Sequence, residues 1–163
     1  MKTALLLALA ACSLNARGAG PDLLPVKQIT LDLANTIAMK SIEACRTEGY
    51  NVSAVVLDRA GIVQAALRDT LASRYTLEIA ERKAGTVILS GVSSGEFAQA
   101  RQDIRPEIDH IKGLIVMGGG LPIEAAGSLV GAVGVSGAPG GDKDAECARA
   151  GLKAVQEKLG FAD

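Results

Sequence analysis

The sequence predicts a single α/β (α+β) domain with a mostly antiparallel, five-stranded sheet flanked by helices. Three observations predict it. Two β-rich runs flank Asp58-Arg59-Ala60-Gly61, the signature of a hairpin. Segments with helical apolar spacing stand before, between and after such runs, in the order α-β-β-α-α-β-β-β-α. Hydrophobic residues make up 48% of the chain, yet Trp is absent and Tyr and Phe number two each, so the core is expected to be built from Ala, Val, Leu and Ile. Hairpins rather than crossovers join the strands, which sets the antiparallel expectation.

The first twenty residues, "MKTALLLALAACSLNARGAG", hold one early Lys, a short apolar run and then small and polar residues. That is the plan of a secretory signal. Ala16 and Gly18 are small, so cleavage after Gly18 is expected, leaving 19–163 as one domain in a periplasmic or secreted protein. Leu9-Ala10-Ala11-Cys12 also resembles a lipoprotein box, which would put a lipid anchor on Cys12. An ordinary N-terminal helix is the remaining reading.

In "ITLDLANTIAMKSIEACRTEGY", Leu33, Ile37, Ala38, Ile42 and Cys45 recur at helical spacing. Thr30 suits the N-cap and Gly49 the stop, so a helix is expected over about 31–48. The hairpin of "NVSAVVLDRAGIVQAALRD" follows. "SRYTLEIAERKAGTVILSG" then reads as an amphipathic helix with Leu77, Ala80, Ala84, Val87 and Ile88 inward. "SSGEFAQARQDIRPEI" opens with Ser and Glu in capping order and reads as a short helix ended near Pro106. Strands are expected over 113–117, 121–124 and 128–136, with glycine turns at 118–120 and near Gly127. A last helix over 142–159 turns Ala145, Ala148, Leu152, Val155 and Leu159 inward.

Charge and composition exclude several classes. The formal net charge is −1, and loss of residues 1–18 removes Lys2 and Arg17, leaving 15 basic against 18 acidic residues. No nucleic-acid footprint is present. The body has no run of about twenty apolar residues, so no membrane span is expected there. A single His excludes a His-based metal cluster or zinc site. Cys45 and Cys147 remain after processing, either joined or as two buried thiols.

"GAVGVSGAPGGDKDAEC" raises the question of a phosphate loop. It lacks GxGxxG and GxxxxGK[ST], and the chain ends just past the next helix, without the crossover strand a dinucleotide fold needs. Gly131 and Gly134 instead mark close approach by another backbone within a strand. Asp142 and Asp144 fill the positive end of the last helix and read as capping groups. Ser136 sits in G-V-S-G-A, one glycine short of the hydrolase elbow and without its parallel sheet. Arg68-Asp69 reads as turn charges or as an anchor for an anionic ligand, His110 as a surface residue and Tyr75 as a half-buried amphipathic one.

Four stretches in order, "VVLDRAGIVQAALRD", "EIAERKAGTV", "GGGLPI" and "VGAVGVSGAPGGDKDAECARAGL", resemble the GlcG/HbpS family, often called haem-binding. The resemblance covers about residues 28–160. It implies a profilin-like fold, homo-oligomers and haem as cofactor. Relatives carry His about where Tyr75 stands, so Tyr75 would ligate ferric haem as a phenolate near Arg74 or Arg68, with His110 and Met117 as other donors. The resemblance also implies a shallow pocket at one end of the sheet. Its lining would be Gly118, Gly119, Gly120, Pro122, Ser136 and Gly137, with Arg68, Asp69 and Tyr75 nearby. In a profilin-like layout the first and last helices share one face, so Cys45 and Cys147 would meet in a disulfide.

Three functions compete. One is an exported haem- or tetrapyrrole-binding protein without catalysis of its own, acting in scavenging, sensing or oxidative protection. Another is an enzyme or enzyme accessory for a small carboxylate such as a 2-hydroxy acid, with Arg68 pairing its charge and Asp69 moving protons. The third is a structural oligomer with a vestigial pocket.

Overall fold

A computed structural model describes residues 22–160, so the expected signal segment and Cys12 lie outside the described residues. Helix α1 (Leu31–Thr47) starts where the Thr30 hydroxyl accepts from the Leu33 N–H and stops before Gly49, whose φ is +81°. Strands β1 (Ser53–Asp58) and β2 (Val63–Arg68) form the expected hairpin. The Asp58 carboxylate closes their turn by accepting from the Ala60 and Ile62 N–H groups at 2.8 and 2.9 Å. Helix α2 (Tyr75–Ser90) follows, then α3 (Ser94–Ala100), whose capping box joins Ser93 and Glu96. A short α4 (Arg105–Ile108) leads to β3 (Gly120–Ala125), β4 (Ser128–Ser136), α5 (Gly141–Lys153) and α6 (Gln156–Gly160).

The sheet is antiparallel throughout, in the order β2-β1-β4-β3. Central β1 is buried along its whole length, so it carries apolar residues on both faces. Ala54 and Val56, with Val133 and Val135 of β4, face a core shared with α1 and α5. Val55, Leu57 and Ala132 face Ala80, Ala84 and Val87 of α2. Gly134 lets the α2 backbone touch β4, since a Cβ there would run into the Ala80 carbonyl. Cys45 and Cys147 form a disulfide between α1 and α5, with Cα atoms 5.4 Å apart.

Three expectations are corrected. The described sheet has four strands, because 113–117 is not one of them. Side chains of α2 take the backbone groups that a neighbouring strand would take. Arg82 Nε donates to the Leu114 carbonyl, and the Thr86 hydroxyl bonds both the N–H and the carbonyl of Ile115. Leu114 and Val116 then fill a satellite cluster with Phe97 and Ile108. Pro106 opens α4 instead of ending the preceding helix, which already stops at Ala100; proline fits a first helical turn because its missing N–H has no partner to lose there. The last helix breaks between Lys153 and Gln156 into α5 and α6.

Candidate functional site at one end of the sheet

Strand register gathers most of the singled-out residues at one end of the sheet. Ser53 stands opposite Arg68 on β2 and Ser136 on β4. The Ser53 and Thr76 hydroxyls lie 2.7 Å apart, which pins the first turn of α2, and so Tyr75, to that end. The Gly119 carbonyl accepts from the Val135 N–H at 2.9 Å and brings the glycine run alongside. Gly137 continues past β4 and lies against Asn51 and Val52. Pro122 stands apart on outer strand β3, and His110 stands apart beside the middle of α2.

Arg68 and Asp69 at this end are already bonded. Arg68 Nη1 donates to the carbonyls of Asp69, Thr70 and Ala72, clamping the loop into α2. Asp69 is buried and accepts two bonds from the Arg46 guanidinium, at 2.7 and 2.9 Å, and one from the Thr70 N–H. The Arg46 charge beside it holds the Asp69 carboxyl below the usual carboxylate range. Ser136 is buried. Tyr75 differs from these: it is 61% exposed, and the Arg74 guanidinium carbon lies 4.7 Å over its ring centroid, a cation–π contact.

An ion pair that pattern reading missed lies beneath the glycines. Lys83 Nζ donates to Asp144 Oδ2 at 2.6 Å and to the Val135 carbonyl at 3.0 Å, and Asp144 Oδ1 accepts from the Ala138 N–H. Both side chains are buried. The N-cap of α5 is Gly140 and no side chain caps the helix, so neither Asp142 nor Asp144 is the capping group expected. Burial pushes the Asp144 carboxyl up, and the Lys83 ammonium draws it back. Gly119, at φ +118°, covers the pair; a Cβ there would sit 2.8 Å from Lys83 Nζ. One signal was available: Lys83 falls three residues after Ala80 and four before Val87, on the inward face of α2.

Gly118, Gly119 and Gly120 do line a pocket, of about 230 Å³, between the starts of α3 and α5. Ser136 and Gly137 do not belong to its lining. Arg149 is the lone cation there, against Glu96 and Asp142. That volume is below the range of about 300–1,000 Å³ usual for small-molecule sites.

Haem needs an axial donor and somewhere to lie. His110 stands in a groove of about 430 Å³ with Arg82, Lys112 and Ile111, but Glu78, Glu81 and Asp109 share its walls, which suits an apolar macrocycle poorly. Tyr75 is exposed, with the Arg74 charge over its ring and exposed Leu71 four residues before it. Met117 is also exposed. Among the described residues no group of three or more metal-ligating side chains gathers, and no helix is long and apolar enough to cross a membrane.

The family model described as "Haem degrading protein HbpS-like" matches residues 29–153. The chain belongs to the HbpS-like family. Solved structures agree with this HbpS-like fold. The chain is 36% identical to HbpS, covering 84% of this chain and 96% of that one, at a TM-score of 0.77. It is 25% identical to the Klebsiella pneumoniae protein ORFY, covering 85% and 97%, at a TM-score of 0.78. A PduOC–haem complex is 20% identical, covering 78% and 95% at a TM-score of 0.72, and so shares the fold alone. No curated protein sequence matches the chain.

Proposed function

We propose that this HbpS-like protein is an exported haem-binding protein, with Tyr75 as axial ligand at the sheet end that starts α2. The observation that carries the proposal is the open Tyr75 phenol beneath the Arg74 guanidinium, in a chain whose family is described by haem. Bound haem would supply a redox-active iron. The chain's own residues would hold it: Thr76 and Ser53 fix the turn that carries Tyr75, and Arg74 would offer a charge to a propionate. Export is supported by the signal-like N-terminus and by the Cys45–Cys147 disulfide, a bond that persists in oxidising compartments. A homo-oligomer is part of the same reading.

The test is a hemin titration of the purified protein followed by absorbance. A saturable Soret shift that Tyr75→Phe abolishes and His110→Ala keeps supports the assignment. A shift lost only in His110→Ala moves the ligand to the α2 groove.

The family description favours one second reading, breakdown of the bound haem. Because Tyr75 is exposed, a haem bound there would be within reach of small oxidants. Soret decay with added peroxide, faster than that of free hemin, supports it, and protection of the haem argues for storage or scavenging instead.

A further inference from the structure

Arg68 ends β2 and is exposed, and the loop 69–74 after it leads into Tyr75. A guanidinium carries five N–H donors in a rigid fork. Arg68 uses one of its three nitrogens. Nη1 donates to the carbonyls of Asp69, Thr70 and Ala72, at 3.2, 3.3 and 2.5 Å. Nε and Nη2 meet no acceptor among the described residues. The three carbonyls fasten the side chain to the loop, so its free edge is held in place and little ordering is left for a ligand to impose.

That free edge is the one that fits a carboxylate. Arg46 shows its use in this chain: its Nε and Nη2 donate to the two oxygens of Asp69 at 2.7 and 2.9 Å. A second cation, Arg74, stands at the far end of the loop, over the Tyr75 ring. Its Cα lies at most about 7 Å from that of Ala72, whose carbonyl holds Arg68. The acids on either side of the loop have cations of their own: Asp69 pairs with Arg46, and Glu78 with Arg82 at 3.9 Å. Among the described residues neither Arg68 nor Arg74 has a carboxylate partner. Between them in the loop stands Leu71, an apolar side chain that is 80% exposed.

We infer that Arg68 and Arg74 form a two-point clamp for an apolar ring bearing two carboxylates. Arg68 takes one carboxylate on its Nε–Nη2 edge, Arg74 takes the other, and Leu71 meets the apolar body between them. The ligand class is thereby narrowed from tetrapyrroles at large to those with two free carboxylates. The inference rests on the haem site proposed above and adds Arg68 to it as a residue that selects by charge. The clamp reads the carboxylates and Tyr75 reads the iron, so the two can be tested apart.

The experiment compares metal-free protoporphyrin, which has two carboxylates and no iron, with its dimethyl ester, which has neither charge. Fluorescence titration of the purified protein gives both affinities. The parent is expected to bind the diacid about twentyfold more tightly than the ester, since each exposed ion pair contributes up to about fivefold and the two add. Arg68→Gln keeps an N–H donor for the loop and drops the charge. It is expected to weaken the diacid about fivefold and to leave the ester unchanged, and Arg68→Lys, which keeps the charge, recovers part of the loss. Equal affinity of the parent for the two porphyrins, or no binding of the diacid, would overturn the clamp. Equal weakening of both porphyrins by Arg68→Gln would also overturn it, by making Arg68 a fastener of the loop alone. The comparison in the parent needs no variant, so the test stands even where a variant does not fold. In the hemin titration, a Soret shift kept in Tyr75→Phe beside an intact diacid preference would remove the axial ligand and leave the clamp in place.

Discussion

Lys83 Nζ lies 2.6 Å from Asp144 Oδ2, and this buried ion pair joins α2 and α5, helices that cover opposite faces of the sheet. It passes beside Gly119, where the chain enters β3. The Val135 carbonyl and the Ala138 N–H satisfy the remaining polar atoms, and no buried side-chain nitrogen or oxygen among the described residues is left without a partner.

Removing one member of this pair leaves the other charge buried and alone. Lys83→Met is expected to cost about 3–5 kcal/mol, whereas Lys83→Met with Asp144→Leu recovers most of the loss. Urea denaturation of both variants checks this. A single variant as stable as the parent would mean that water reaches the pair.

Gly134 is where α2 rests on β4, and an added methyl would collide with the Ala80 carbonyl. Gly134→Ala is expected to destabilise by about 3 kcal/mol or more, at the upper end of overpacking costs. Gly127→Ala is the control. Its φ is +74° and open space surrounds it, so only backbone strain of about 1 kcal/mol applies. Equal losses at both glycines would contradict close helix–strand contact.

The Arg46–Asp69 pair makes stability depend on pH. Its folded-state carboxyl lies below the ordinary value, so the stabilisation is full above the unfolded carboxyl's pKa, about 4. It fades as pH falls through the lower folded-state value. The stability gap between the parent and Asp69→Asn is therefore expected to be constant from pH 7 to 5 and to close below about pH 4. A gap that persists at acid pH would show that the hydrogen bonds of Asp69, not its charge, hold the loop.

The disulfide closes a sequence separation of 102 residues. Cys45→Ser with Cys147→Ser is expected to lower stability by about 4–5 kcal/mol in the chain-entropy model. A loss below 1 kcal/mol would mean that the reduced, unfolded chain keeps residual structure that already restricts it.

Local pattern carried much of the fold because each device acts over a few residues. Thr30, Gly49, the Ser93–Glu96 box and the Asp58–Gly61 turn stand where their chemistry puts them. Failure came where tertiary partners override local preference. The run 113–117 has strand composition, but Arg82 and Thr86 bond its backbone from a helix. Asp144 lies in the acidic first turn of α5, yet a lysine 61 residues earlier claims it. At the site, one end of the sheet does collect Arg68, Asp69, Tyr75 and the glycines. That Arg68 and Asp69 are bonded within the loop and to α1 was not legible, because Arg46 comes from a distant helix whose periodicity marks it only as exposed.

The most direct measurement of the central claim is the hemin titration, run on the parent, Tyr75→Phe and His110→Ala. The account predicts saturation at one haem per chain, with the Soret shift lost in Tyr75→Phe and kept in His110→Ala. A weak change that never saturates and is equal in all three proteins would contradict a haem site on this chain.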